Sequence, residues 1–170
     1  MERFFNNAGP IISEDHYHID MLSRMDWGEI QRLIENKRYF VLHAPRQTGK
    51  TSTLLAMMGA LNVGGRYACA YANIESAQTA RGDATQGIPI ACSAIADHIA
   101  RTLRLPELET WNLDEGSRFP SQYQLSKLLA HWAETSPKPT VLFLDEVDAL
   151  VGDTLISLLR QIRSGYAQRP

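Results

Sequence analysis

The chain has 170 residues, of which 44% are apolar and 21% charged, the balance of an ordinary soluble globular protein and long enough to bury a core of its own. A formal net charge of −2 and a pI near 6.2 give it no overall attraction to nucleic acid or to an anionic membrane surface, so only a local patch could serve either. The opening residues lack the apolar core of a signal peptide and no later run approaches the roughly 20 apolar residues that cross a bilayer, which excludes a membrane-spanning reading.

Residues 1–25 are irregular, broken by Asn6, Asn7, Gly9 and Pro10. Asp26, with Glu29 three residues on, then forms a helix cap, and Trp27, Ile30, Leu33 and Ile34 recur at helical spacing behind it. The apolar run Tyr39-Phe40-Val41-Leu42 reads as a buried strand, and after a loop a second helix carries Leu54, Leu55, Met57, Met58 and Leu61 on one face before Asn62 and Gly64-Gly65.

A second strand covers Tyr67 to Ile74. Ser76 to Gln86 read as loop, Pro89 as the opening of a helix with Ile95, Ile99 and Leu103 whose end is marked by Pro106, and Trp111 to Pro120 as loop again. Ser121 and Gln124 match a capping box ahead of Leu125, Leu128, Leu129 and Trp132; Pro137 and Pro139 stop that helix. Val141 to Leu144 form a third strand, and Leu155, Ile156, Leu158, Leu159 and Ile162 the inward face of a last helix. Continuously apolar strands alternating with helices point to an α/β protein with a parallel sheet covered on both faces. Cys69 and Cys92 have neither CxxC spacing nor histidine neighbours, so they read as reduced packing residues and suggest a cytoplasmic protein.

Chemistry concentrates at two places. Ala44-Pro45-Arg46-Gln47-Thr48-Gly49-Lys50-Thr51-Ser52 has the spacing of a phosphate-binding loop between a strand and a helix. Gly49 lets the backbone approach a phosphate, successive N–H groups make an anion cradle, and the helix start adds its positive dipole end. Lys50 reaches the β and γ phosphates and the Thr51 hydroxyl ligates the Mg²⁺ that bridges them. Ala44 stands where many such loops have glycine. The second place is Asp145-Glu146, delivered at the carboxyl end of the third strand, where parallel sheets bind ligands. Asp145 there would hold Mg²⁺, through water, and Glu146 would act as general base on the attacking water.

The strand Tyr39 to His43, the loop through Ser52 and the later Phe-Leu-Asp-Glu at 143–146 resemble the Walker A and Walker B elements of prokaryotic AAA-like ATPases, the class of archaeal-type and signal-transduction ATPases, over residues 39–163. The resemblance implies a three-layer P-loop NTPase fold, ATP and Mg²⁺ as ligands, phosphate and metal binding by Lys50 and Thr51, metal support from Asp145, and catalysis by Glu146 with Lys50. It also implies an N-terminal extension over 1–38 and a partial ATPase core over 39–170. Members usually read the base with the segment before the first strand, here His16, Tyr17, His18 or Ile19. In their strand order, 5-1-4-3-2, a strand follows the Walker B helix, and this sequence stops at Arg169-Pro170 where that strand would begin; the expectation is an incomplete core without the helical lid or arginine finger.

Rival readings meet the same residues, and a small-molecule kinase among them would need a substrate-binding site that nothing in the sequence identifies. A GTPase would need Asn-Lys-x-Asp after the loop, whereas Asn36-Lys37 precedes it. A nucleotide-dependent switch or scaffold with a protein partner or an oligomeric assembly fits the same motifs. A nucleic-acid motor has only Arg160, Arg163 and Arg169 in its favour, and a solvated charged helix face accounts for the first two.

Overall fold

In the computed structural model, residues 15–17, 20–43, 45 and 47–168 are described. The chain divides into two units, Met1–Val63 and Gly64–Pro170. In the first, a short 3₁₀ turn Leu22–Arg24 precedes helix α1 (Trp27–Glu35), and helix α2 (Lys50–Val63) follows the loop that ends at Gly49. The Asp26 carboxylate accepts the Glu29 amide at 2.9 Å, the cap expected from the sequence. Leu54, Met57 and Leu61, three and four residues apart, are the buried apolar positions of α2.

The second unit holds strand β1 (Ala68–Asn73), helices α3 (Ala84–Leu103), α4 (Pro106–Asp114) and α5 (Ser121–Thr135), strand β2 (Thr140–Asp145) and helix α6 (Gly152–Ser164). The two strands pair in parallel, Ala68 opposite Thr140 through Asn73 opposite Asp145. α3 lies at the centre of this unit, packed against β1, α4, α5 and α6. Its Ile88, Ala91, Ile95 and Ile99 share one core with Ala70, Ala72, Leu125, Leu128, Trp132 and Leu158.

The expected three-layer P-loop NTPase sheet is not what forms. Helices dominate, and among the described residues the sheet has two strands. Tyr39-Phe40-Val41-Leu42 is not a strand, and Val41 is 89% exposed and Tyr39 51%. An apolar run of four has no period to read, and a strand exists only where a neighbouring backbone takes its N–H and C=O groups.

Other differences lie in the second unit. The stretch read as loop from Ser76 holds a 3₁₀ turn, Glu75–Ala80, and α3 starts at Ala84 with Pro89 inside it. The Asp83 carboxylate caps α3, accepting from Thr85 N–H (2.9 Å) and Thr85 Oγ1 (2.6 Å). The Thr85 hydroxyl and amide, with Gln86, hold this exposed carboxyl below its usual value. Its contribution is therefore present above the ordinary carboxylate range and is lost as pH falls through the lowered value. Pro106, read as a terminator, occupies the first turn of α4. On α6, Leu158 is buried but Ile156 and Leu159, expected to face inward, are about half exposed.

The capping box at Ser121 also fails to form, because Gln161 of α6 takes over part of that helix end. Its side chain is 5% exposed. Its Oε1 accepts the Leu125 and Ser126 amides at 3.0 and 3.2 Å, while Nε2 donates to the Ser121 carbonyl at 2.9 Å. Ser121 C=O and Leu125 N–H are the groups an i→i−4 helical bond joins, so one glutamine amide reaches both partners of a single turn. Gln161→Leu keeps the volume and removes every one of these bonds. We expect it to cost about 1 kcal/mol in urea denaturation, the net worth of buried hydrogen bonds whose backbone members keep their helical partners. A loss below about 0.5 kcal/mol would show that the amide contributes nothing beyond packing.

Candidate functional site

The loop ahead of α2 turns on two left-handed residues. Gln47 has φ +60° and Gly49 φ +83°. The Thr48 hydroxyl donates to the Pro45 carbonyl at 2.7 Å, closing the turn, and the Gly49 carbonyl accepts the Thr53 amide at 2.9 Å, starting the helix. Lys50 is thus the first residue of α2, and no acidic side chain sits in the first turn to oppose an anion at its positive end. Thr51 is half-buried and Ser52 buried in that turn.

A side chain at Gly49 would meet only ordinary contacts, 3.7 Å from Arg24 Nη1 and 3.8 Å from Met21 Sδ. Glycine is required there by the backbone angle, not by space. Two of the loop residues singled out in the sequence, Ala44 and Arg46, lie outside the described residues. So do His18 and Ile19; of the other two proposed adenine contacts, His16 is buried and Tyr17 is 51% exposed.

Asp145 and Glu146 belong to the second unit. Asp145 ends β2 and is 7% exposed. Its Oδ2 accepts the Tyr71 hydroxyl at 3.0 Å and its Oδ1 accepts the Glu146 amide at 3.0 Å. Glu146 has φ +59° and ψ +31°. That left-handed conformation costs a residue with a side chain about 1–2 kcal/mol, a strain that concentrates where a side chain must be aimed.

Tyr71 was not singled out in the sequence. It stands opposite Phe143 in the parallel register, so Asp145, two residues further along β2, is its diagonal neighbour on the same face. Only the register reveals this. The two thiols, by contrast, are chemically quiet: burial pushes Cys69 and Cys92 up to about 12 and neither is in a disulfide.

Among the described residues no group of three His, Cys, Asp or Glu side chains could hold a metal by itself. A shallow depression of about 460 Å³ on α3, lined by Ser76, Pro89, Ile90, Ser93, Ala94 and Asp97, contains none of the residues above. Among the described residues no helix is long and apolar enough to cross a membrane. No protein-family model, no curated protein and no solved structure matches the chain.

Proposed function

We propose that the chain binds ATP with Mg²⁺ through the loop ending in Gly49-Lys50-Thr51, and hydrolyses it. The observation that carries this reading is the left-handed Gly49 set directly ahead of Lys50 at the start of a 14-residue helix. Backbone N–H groups at a helix start, an ammonium group and the absence of nearby acidic residues in that turn favour an oligophosphate. Lys50 donates to phosphate oxygens as a mobile point charge. The Thr51 hydroxyl offers a hard oxygen to Mg²⁺, the ion, when bound, neutralises charge on the phosphates, and support of the metal by Asp145 is what the Walker B resemblance implies. Glu146 is the group assigned to accept a proton from water. We place the protein in the reducing cytoplasm, a reading supported by two buried cysteines that form no disulfide.

Calorimetric titration with ATP tests the binding step. A hydrogen bond to a charged group contributes about 1.5–3 kcal/mol, so Lys50→Ala should weaken ATP binding by roughly 10- to 100-fold while leaving the melt unchanged. An unaltered affinity in a folded Lys50→Ala protein would overturn the reading.

A further inference from the structure

The Asp145 carboxylate is bracketed. Tyr71 holds Oδ2 from the neighbouring strand and the Glu146 amide holds Oδ1 from its own chain, both at 3.0 Å. Two donors on two different oxygens leave the carboxyl plane a single orientation, which neither donor alone would impose. The Tyr71 ring is itself braced. His98 of α3 meets it edge-on, with centroids 6.2 Å apart and an interplanar angle of 73°. The imidazole is fixed in turn: its Nδ1 lies 2.7 Å from the Ala94 carbonyl, which can only accept, so Nδ1 carries the hydrogen and donates. The chain of contacts runs from α3 through β1 to the end of β2.

We propose that Tyr71 is a positioning residue for Asp145, holding the carboxylate in the one orientation in which it meets a divalent cation. The inference rests on the ATP–Mg²⁺ reading above. The chemistry of the donor matters. A phenol is neutral, so this donor orients the carboxylate without adding a positive charge of its own, as a lysine or arginine in its place would. Fixing the side chain before the cation arrives also removes an ordering cost from binding, which is the general role of residues that hydrogen-bond a metal-supporting group.

A plain stabilising role for the same hydrogen bond makes a different prediction, and Tyr71→Phe separates the two because it removes one oxygen and keeps the ring. In the full chain, Mn²⁺ binding in the presence of ATP is read by electron paramagnetic resonance, and ATP binding in EDTA by calorimetry. Tyr71→Phe should weaken Mn²⁺ binding about tenfold and leave metal-free ATP affinity unchanged. In an Asp145→Asn background it should have no further effect on Mn²⁺, since the residue acts through that carboxylate. Should the variant melt near the assay temperature, the same titrations at 5 °C in sucrose keep it folded and carry the same expectation.

Equal Mn²⁺ affinity for Tyr71→Phe and the unmodified protein, or an undiminished effect of Tyr71→Phe in the Asp145→Asn background, overturns the role of Tyr71 alone. Failure of the unmodified protein to bind ATP overturns the nucleotide reading and this inference with it.

Discussion

Gly87→Ala is expected to destabilise the second unit by about 3 kcal/mol, although alanine is the better helix former by about 1 kcal/mol. The position lies inside α3, where the usual expectation for Gly→Ala is a gain. What reverses the sign is Thr154 of α6, which is fully buried. A methyl group on Gly87 would come to 2.4 Å from Thr154 Cγ2, 2.8 Å from Oγ1 and 3.2 Å from Cβ. Rotating Thr154 cannot clear the site, because a β-branched residue always carries two heavy atoms on Cβ and that Cβ is already close. The helices would have to separate in a core that fills space like an organic crystal.

A double-mutant cycle read by urea denaturation decides the cause. Thr154→Ala deletes both Cγ2 and an Oγ1 that is buried without a hydrogen-bond partner, so by itself it should be close to neutral. Combined with Gly87→Ala it should restore more than half of the lost stability, a coupling of about 2 kcal/mol. If Gly87→Ala raised the melting temperature, the close approach of α3 and α6 would be wrong.

That contact also marks where sequence reading stops. The apolar runs Tyr67–Ile74 and Val141–Leu144 were legible as parallel strands because burial on both faces removes polar alternation, and β1 and β2 do pair in parallel there. The Asp26 cap and the spacing of Leu54, Met57 and Leu61 were legible because both are local to one helix. Tyr39–Leu42 misled because four apolar residues state a preference for burial and say nothing about whether a pairing edge exists. Pro106 misled because proline fits both the end of one helix and the first turn of the next. Gln124 carries the right residue type for a capping box, yet its amide donates to the Ser117 carbonyl. The α5 end is instead served from 40 residues away by Gln161, which no local pattern announces.

The candidate site divides in the same way. Lys50 at the start of α2 was legible from the helical pattern behind it and not from the run ahead of it, and Asp145-Glu146 at the end of β2 from the apolar run before them. Tyr71 on Asp145 depends on strand register, and the left-handed Glu146 has no cue in its residue type, since Asn and Gly are the usual occupants of that conformation.

Glu146→Gln is expected to lower ATP turnover by about 10²- to 10⁴-fold with ATP affinity unchanged, the range for losing a general base. Glutamine matches the shape of glutamate and can still hold a water, but its amide does not accept the proton. The backbone at 146 gives an independent check. Because a side-chain-bearing residue is strained at φ +59°, Glu146→Asn should melt no lower than the unmodified chain while losing turnover to the same degree. Stability that holds while rate collapses is the signature of a residue kept for its chemistry and not for the fold. Turnover in Glu146→Gln within a few-fold of the unmodified protein would remove Glu146 from the mechanism. Negligible turnover in both, with ATP binding still dependent on Lys50, would identify a nucleotide-controlled switch, in which binding energy and not hydrolysis biases the conformation.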